Sequence, residues 1–183
     1  MKKVFQIQIA LKGVKPKVWR RVLVPSDVLL SDFHRIIQMS MGWTDTHLHQ
    51  FYIKGLLYGS PMEDDLDDFG VEDYTGLKLN AFLKKEKDKL QYDYDFGDNW
   101  EHTVVLEKIL PFDDKLQYPV CVAGRMSCPP EDCGGAWGYM DMLEVLKQPE
   151  HEEYKSYMEW MGGPFDPKEF DKGLVNKVLR GAF

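Results

Sequence analysis

The 183-residue chain lacks the features that carry a protein into or across a membrane. No stretch approaches the roughly 20 consecutive apolar residues of a spanning helix. The first residues, Met1-Lys2-Lys3-Val4-Phe5-Gln6-Ile7-Gln8, alternate apolar with polar where a signal peptide needs an unbroken apolar segment. Cysteines number only three, an odd count that suits a reducing compartment better than a disulfide framework. Arginines number five, at positions 20, 21, 35, 125 and 180, and the formal net charge is −7, so the chain has no broad positive field of the kind that drives non-specific nucleic-acid binding. Repeats and low-complexity stretches are absent. The expectation is a cytoplasmic protein without a membrane partner. Aromatics, by contrast, are plentiful: 10 Phe, 9 Tyr and 5 Trp in a chain that is 44% hydrophobic supply a sizeable core. One domain over residues 1–183 is expected, sheet-rich over 1–110, a loop over 111–135 and helical over 136–183.

Hydrophobic periodicity gives the elements. Phe5, Ile7, Ile9 and Leu11 alternate with Gln6 and Gln8, the period of a half-buried strand over residues 4–11. A turn at 13–16 leads to a second strand over 18–24, closed by Pro25. Ser31 is placed to cap a helix whose Phe33, Ile36, Ile37, Ser40 and Met41 follow a helical stripe up to Gly42. Residues 49–58 read as a strand or hairpin with Gly55 near its tip. The seven carboxylates between Glu63 and Asp73 read as a solvated loop, and 77–83 as a short helix or strand end before a charged link. Residues 111–135, rich in Pro, Gly and Cys, read as a long ordered loop. Helices are expected at about 136–147, 150–161 and 167–179, the last capped by Asp166. Strands early and helices late predict an α+β fold: a mixed or antiparallel sheet, covered on one face by the first helix and the C-terminal helices.

The 90–107 segment is the most informative. Leu90, Tyr92, Tyr94 and Phe96 alternate with polar residues, and Trp100, His102, Val104 and Leu106 do so after Gly97-Asp98-Asn99. A three-residue connection predicts pairs Phe96–Trp100, Tyr94–His102, Tyr92–Val104 and Leu90–Leu106, with one continuous apolar face. That register sets Asp95 opposite Glu101, with Asp93 two residues away. Like charges across a strand pair destabilise by about 0.2–1 kcal/mol, so a cation is demanded nearby.

Several groups carry candidate chemistry. Asp93, Asp95, Asp98 and Glu101 are oxygen ligands that could hold Mg²⁺ or Ca²⁺, with His102 alongside for hydrolysis. The favoured alternative is neutralisation by Arg20 and Arg21 from a neighbouring strand. His47 and His49, two apart on a strand, would share a face and could serve a metal with His102 or Glu101; packing, as against Trp43, is the commoner role. Cys121, Cys128 and Cys133 with His102 could form a zinc site, but they lack the paired C-x₂-C knuckle, so buried free thiols are preferred. Glu131 and Asp132, before Gly134-Gly135, would repel a phosphate and are expected to cap a helix or take an arginine. The basic residues of the first 21 positions, with Trp19 among them, could stack and hold nucleic acid, although alternation spreads them over both faces.

Four segments together resemble the plasmid pRiA4b ORF-3-like family: Lys17-Val18-Trp19-Arg20-Arg21, Gly42-Trp43 with His47-Leu48-His49-Gln50-Phe51, Tyr92 to His102, and Cys128 to Gly135 with Gly138-Tyr139. Lys17 departs from the pattern, where a second proline is common. The resemblance implies an α+β domain met on plasmids and as an insertion-element passenger, of unestablished function. Some members carry a resolvase-like label, but a serine recombinase needs a serine ringed by arginines, and five arginines in an acidic chain do not provide that. The expected function is a non-catalytic binding or accessory module with a protein or nucleic-acid partner. Its cleft is expected where Trp19, Arg20, Arg21, His47, His49, Asp93, Asp95, Asp98, Trp100, Glu101, His102, Glu131 and Asp132 converge. The alternative is a metal-dependent hydrolase or nuclease using Asp93, Asp95, Asp98, Glu101, His47, His49 and His102. No cofactor is firmly implied; a divalent metal or zinc is the candidate that these ligand types allow.

Overall fold

Alternation at the N-terminus produces β1 (Lys3–Leu11), which pairs with β2 (Trp19–Pro25) on one side and with β7 (Trp100–Pro111) on the other, all antiparallel. The structure, a computed structural model, describes residues 2–60 and 70–183. The remaining strands are β3 (His49–Ile53), β4 (Leu56–Gly59), β5 (Val71–Asp73), β6 (Lys89–Tyr94) and β8 (Val120–Arg125). They form one eight-stranded sheet in the order β5-β4-β3-β6-β7-β1-β2-β8. Among the described strands only β4 and β5 run parallel, so the sheet is mixed and the fold is α+β. Among the described residues the helices are α1 (Leu30–Met41), α2 (Gly135–Val145), α3 (Tyr154–Trp160) and α4 (Lys172–Ala182). Among the described residues no helix is long and apolar enough to cross a membrane.

The inward stripe of β1, Phe5, Ile7, Ile9 and Leu11, shares one buried cluster with Phe33, Ile36 and Ile37 of α1 and with Tyr92, Val104 and Leu106 of the hairpin. Gly42 ends α1 at φ 105°, its N–H returning to the Gln38 carbonyl, as a left-handed glycine at a helix end does. The helix start differs from expectation. Ser31 lies inside α1, and the cap position is Leu29, extended and without a side-chain bond. The entry is fixed instead by a bridge between Leu29 and Lys78, and the Leu30 N–H donates to the Leu77 carbonyl.

The hairpin register is shifted by two residues. Tyr94 pairs with Trp100, Tyr92 with His102 and Leu90 with Val104, leaving residues 95–99 as a five-residue connection. A two-residue slip keeps every side chain on its face, so burial alone could not choose between the registers. The turn chooses. Asp95 and Asn99 both adopt left-handed φ, 57° and 53°, and Phe96, expected in the core, is 51% exposed.

Three further expectations are corrected. The 111–135 segment is not one loop: β7 runs to Pro111 and β8 lies within it. The edge of β8 is met by α4, whose Asn176 amide accepts from the Cys121 N–H and donates to the Cys121 carbonyl (2.7 and 2.8 Å). Asp166 does not cap α4; Asp171 does, taking the Leu174 N–H, while Asp166 closes a tight turn onto the Lys168 N–H. The helix expected from 150 begins only at Tyr154. Of the acidic run, residues 63–69 lie outside the described residues, and its last three residues, Val71–Asp73, form β5.

Arg20 explains part of the Trp-Arg-Arg unit. It is 3% exposed, and its guanidinium donates to the carbonyls of Ser40 at the end of α1, of Trp19, and of Arg125 on β8. A cation at a helix C-terminus is favoured by the dipole, and here it ties β2 to α1 and β8. Arg20→Met is expected to lower unfolding free energy by about 3 kcal/mol, since it leaves buried carbonyls unpaired; urea denaturation followed by circular dichroism measures this.

Candidate functional site

The sequence-predicted residues divide over three environments. The first is the polar face of the sheet. Asp93 stands directly opposite Glu101, so the expected like-charge opposition exists, with Asp93 in place of Asp95. Neither Arg20 nor Arg21 relieves it. Lys12 does, with Nζ 2.6 Å from Glu101 and 3.0 Å from the Gln91 amide oxygen, while Asp93 accepts from Gln50 and Gln91. The Lys12 and Glu101 side chains are 45% and 37% exposed, so the pair is worth at most about 1 kcal/mol. Arg21 pairs with Glu107 through Nε and Nη2, and its guanidinium also lies 5.1 Å from the Trp19 ring. The hydrogen bond from Arg21 holds the Glu107 carboxyl below the usual range. Trp19 and Arg21 thus belong to a different part of the surface from the histidines.

The second environment is a buried histidine layer. His47 and His49 do not share a face: His49 opens β3, whereas His47 precedes it. The His49 ring stacks on His34 of α1, centroids 3.4 Å apart and planes within 4°, and its Nε2 bonds the Tyr74 hydroxyl. His34 bonds Asp45 through Nε2 and the Tyr92 hydroxyl through Nδ1, and Gln38 donates to that hydroxyl (all 2.7–2.8 Å). Burial pushes His34 down to about 4 and His49 down to about 3, and it raises Asp45. Both rings are therefore neutral. The i, i+4 spacing of His34 and Gln38 was the legible signal for this group; Asp45 and Tyr74 had none. His102 is fully buried edge-on to Trp43, and burial pushes it down to about 4. Trp100 is a core residue, 1% exposed.

The third environment is a junction between the β6–β7 loop and the segment leading into α2. Gly134 and Gly135 have φ of 85° and 66°, and a Cβ on Gly135 would overlap the Asp98 carbonyl. Only glycine permits this approach. Asp98 accepts the Gly134 N–H, and Asp95 Oδ1 accepts the N–H groups of Gly97 and Asp98. Glu131 takes the hydroxyls of Tyr94 and Thr44, and Trp43 Nε1 donates to the Pro129 carbonyl. Although burial opposes it, these bonds hold the Glu131 carboxyl below its usual value; burial and the bond to Glu131 push Tyr94 up to about 12. Glu131 thus takes hydroxyls, not an arginine. His47 Nε2 lies 3.3 Å from Asp132 and 3.8 Å from Asp95.

Beside this junction runs a cleft of about 570 Å³ bounded by Arg20, Trp43, Glu131, Phe170, Leu174 and Val178 among others. The three cysteines are free, and burial raises each thiol's pKa, Cys133 to about 12. Among the described residues, two groups set three ligand atoms within 4.8 Å of one another, His34–Asp45–His49 and His47–Asp95–Asp132, and neither includes a cysteine or His102.

Comparisons with known proteins agree in direction. The family described as plasmid pRiA4b ORF-3-like protein matches residues 3–173. The chain is 34% identical over 177 residues to the uncharacterised protein y4hQ of Sinorhizobium fredii, covering 96% of this chain and 90% of that one. It is similar to the crystal structure of a protein of unknown function, MM3350, from Methanosarcina mazei Go1, with a TM-score of 0.84, 40% identity, and 94% and 97% of the two chains covered.

Two outcomes are expected from this geometry. His34 and His102 are neutral when folded and titrate near 6.5 when unfolded, so their contribution is complete above pH 6.5 and is lost as pH falls toward 4. Thermal unfolding temperature is expected to be level from pH 8 to 7 and to fall below 6.5, each histidine costing about 1.4 kcal/mol per pH unit in that window; the slope is expected to diminish in His102→Phe. Gly135→Ala is expected to destabilise by at least about 2 kcal/mol through overlap and left-handed strain, read from the same denaturation curves.

Proposed function

Since the chain belongs to the plasmid pRiA4b ORF-3-like family, we propose that it is a non-catalytic binding or accessory module. We read it as one cytoplasmic unit over residues 1–183 that serves the plasmid or mobile-element genes to which the family's description points. The observation that carries this reading is the cleft beside Trp43 and Glu131. It has the size of an ordinary ligand or peptide site, and three of the four signature segments line it, through Arg20, through Gly42 and Trp43, and through Cys128 to Glu131.

A protein segment fits this cleft better than nucleic acid does. Glu131, Glu169 and Asp171 line it, and the cation among its lining residues, Arg20, is already bonded to backbone carbonyls. A phosphate backbone would meet unrelieved negative charge. Phe165, Phe170, Leu174 and Val178 offer an apolar wall instead. The rival reading, a metal-dependent hydrolase or nuclease, needs its carboxylates and histidines at one point. Asp93 and Glu101 are engaged by Lys12, Gln50 and Gln91, and His49 by Tyr74, which weighs against it.

A photo-crosslinking residue at Leu174 or Val178 is expected to capture one recurring partner in the native host cell, with none captured from Lys115 in the exposed 112–117 stretch. Equal capture from all three positions would overturn the proposed cleft. Hydrolysis of bis(p-nitrophenyl) phosphate with added Mn²⁺, lost in His47→Gln, would overturn the non-catalytic reading.

A further inference from the structure

The strongest unassigned arrangement is the convergence of His47, Asp95 and Asp132 from three separate stretches of chain. His47 Nε2 is shielded from solvent and has no hydrogen-bond partner, although two carboxylates stand close by. An unpaired buried ring nitrogen is costly and calls for an explanation. Asp95 is 7% exposed, and its Oδ1 is held by two backbone N–H groups, which leaves Oδ2 directed at His47. We propose that His47 Nε2, Asp95 Oδ2 and Asp132 Oδ1 form a binding site for a divalent transition-metal ion.

The distances fit. Ligands about 2.0–2.2 Å from a shared ion lie roughly 3–4 Å from one another in tetrahedral or octahedral arrangements. Here the separations from the histidine nitrogen are 3.3 and 3.8 Å. One imidazole and two carboxylates neutralise a dication and favour Zn²⁺, Co²⁺ or Mn²⁺ over Ca²⁺, which takes oxygen ligands throughout. Three protein donors leave coordination positions for water or for an acidic group of a partner. The ring of His47 is steadied edge-on by Tyr94, whose hydroxyl is bound to Glu131.

The neighbouring group, His34–Asp45–His49, does not qualify. A metal lies in the plane of an imidazole that binds it, and two rings stacked face to face at 3.4 Å cannot direct their in-plane lone pairs at one ion. That group is a hydrogen-bonded stack, and it supplies the control.

The site goes beyond the proposed cleft and does not depend on what the cleft holds. Equilibrium dialysis of the full chain against ZnCl₂ or CoCl₂, with elemental analysis, is expected to give one equivalent bound. Asp132→Asn and His47→Gln are expected to weaken binding by roughly tenfold or more, and Asp45→Asn is expected to leave it unchanged. Asp132 is 70% exposed, and asparagine tolerates its left-handed backbone, so this variant keeps the fold. In the unsubstituted protein, Zn²⁺ is expected to move the ¹⁵N resonance of His47 Nε2 and not those of His34. Absence of binding, binding indifferent to both substitutions, or a thiolate-to-Co²⁺ charge-transfer band would overturn the site. Any of these results would leave the crosslinking pattern from Leu174 as it stands, so the two readings fail separately.

Discussion

The close approach of Gly135 to the Asp98 carbonyl is the constraint from which the rest of the junction follows. With no Cβ at Gly135, the start of α2 sits directly on the β6–β7 loop, and the preceding turn is carried across the end of the hairpin. That places Glu131 against Tyr94 and Thr44, and Asp132 against His47. The loop answers with its own adjustment: Asp95 goes left-handed and folds its carboxylate back on the amides of Gly97 and Asp98. Aspartate is among the few residues with a side chain that tolerate this backbone, because its carboxylate bonds locally.

The two faces of the sheet have different tasks. One carries a polar ladder that includes the ion pairs Lys12–Glu101 and Arg21–Glu107, and such pairs add little to stability. The other buries aromatics and histidines together. Trp43 touches Tyr94, Trp100 and His102, while Tyr92 touches His34, His49, Phe51 and His102. Offset and edge-on contacts of this kind add to the burial of apolar area. Keeping imidazoles neutral inside such a layer ties the protein's stability to the acidity of its surroundings.

Much of the fold was legible in residues because alternation has a physical cause. The inward stripe of β1, the stripe of α1 and the left-handed Gly42 could all be read, as could the family signatures. The hairpin register was not, since a two-residue shift preserves both faces and the turn conformation that decides it depends on contacts with α2. Strand β8 was hidden by its surroundings of Pro, Gly and Cys. The helix caps at 31 and 166 failed because a strand bridge and a second aspartate, Asp171, took those roles. Within the site, the segments that converge were visible, but the sorting of Asp93 and Glu101 to one face, His49 to the core and Asp95 to the junction required the fold.

The Asn176 amide occupies both hydrogen-bonding positions of Cys121 at the outer border of the sheet. A foreign strand approaching β8 would find that rung already filled by a side chain that mimics peptide geometry, and joining there would mean first displacing α4. The helix therefore acts as a stopper against runaway strand addition on this border.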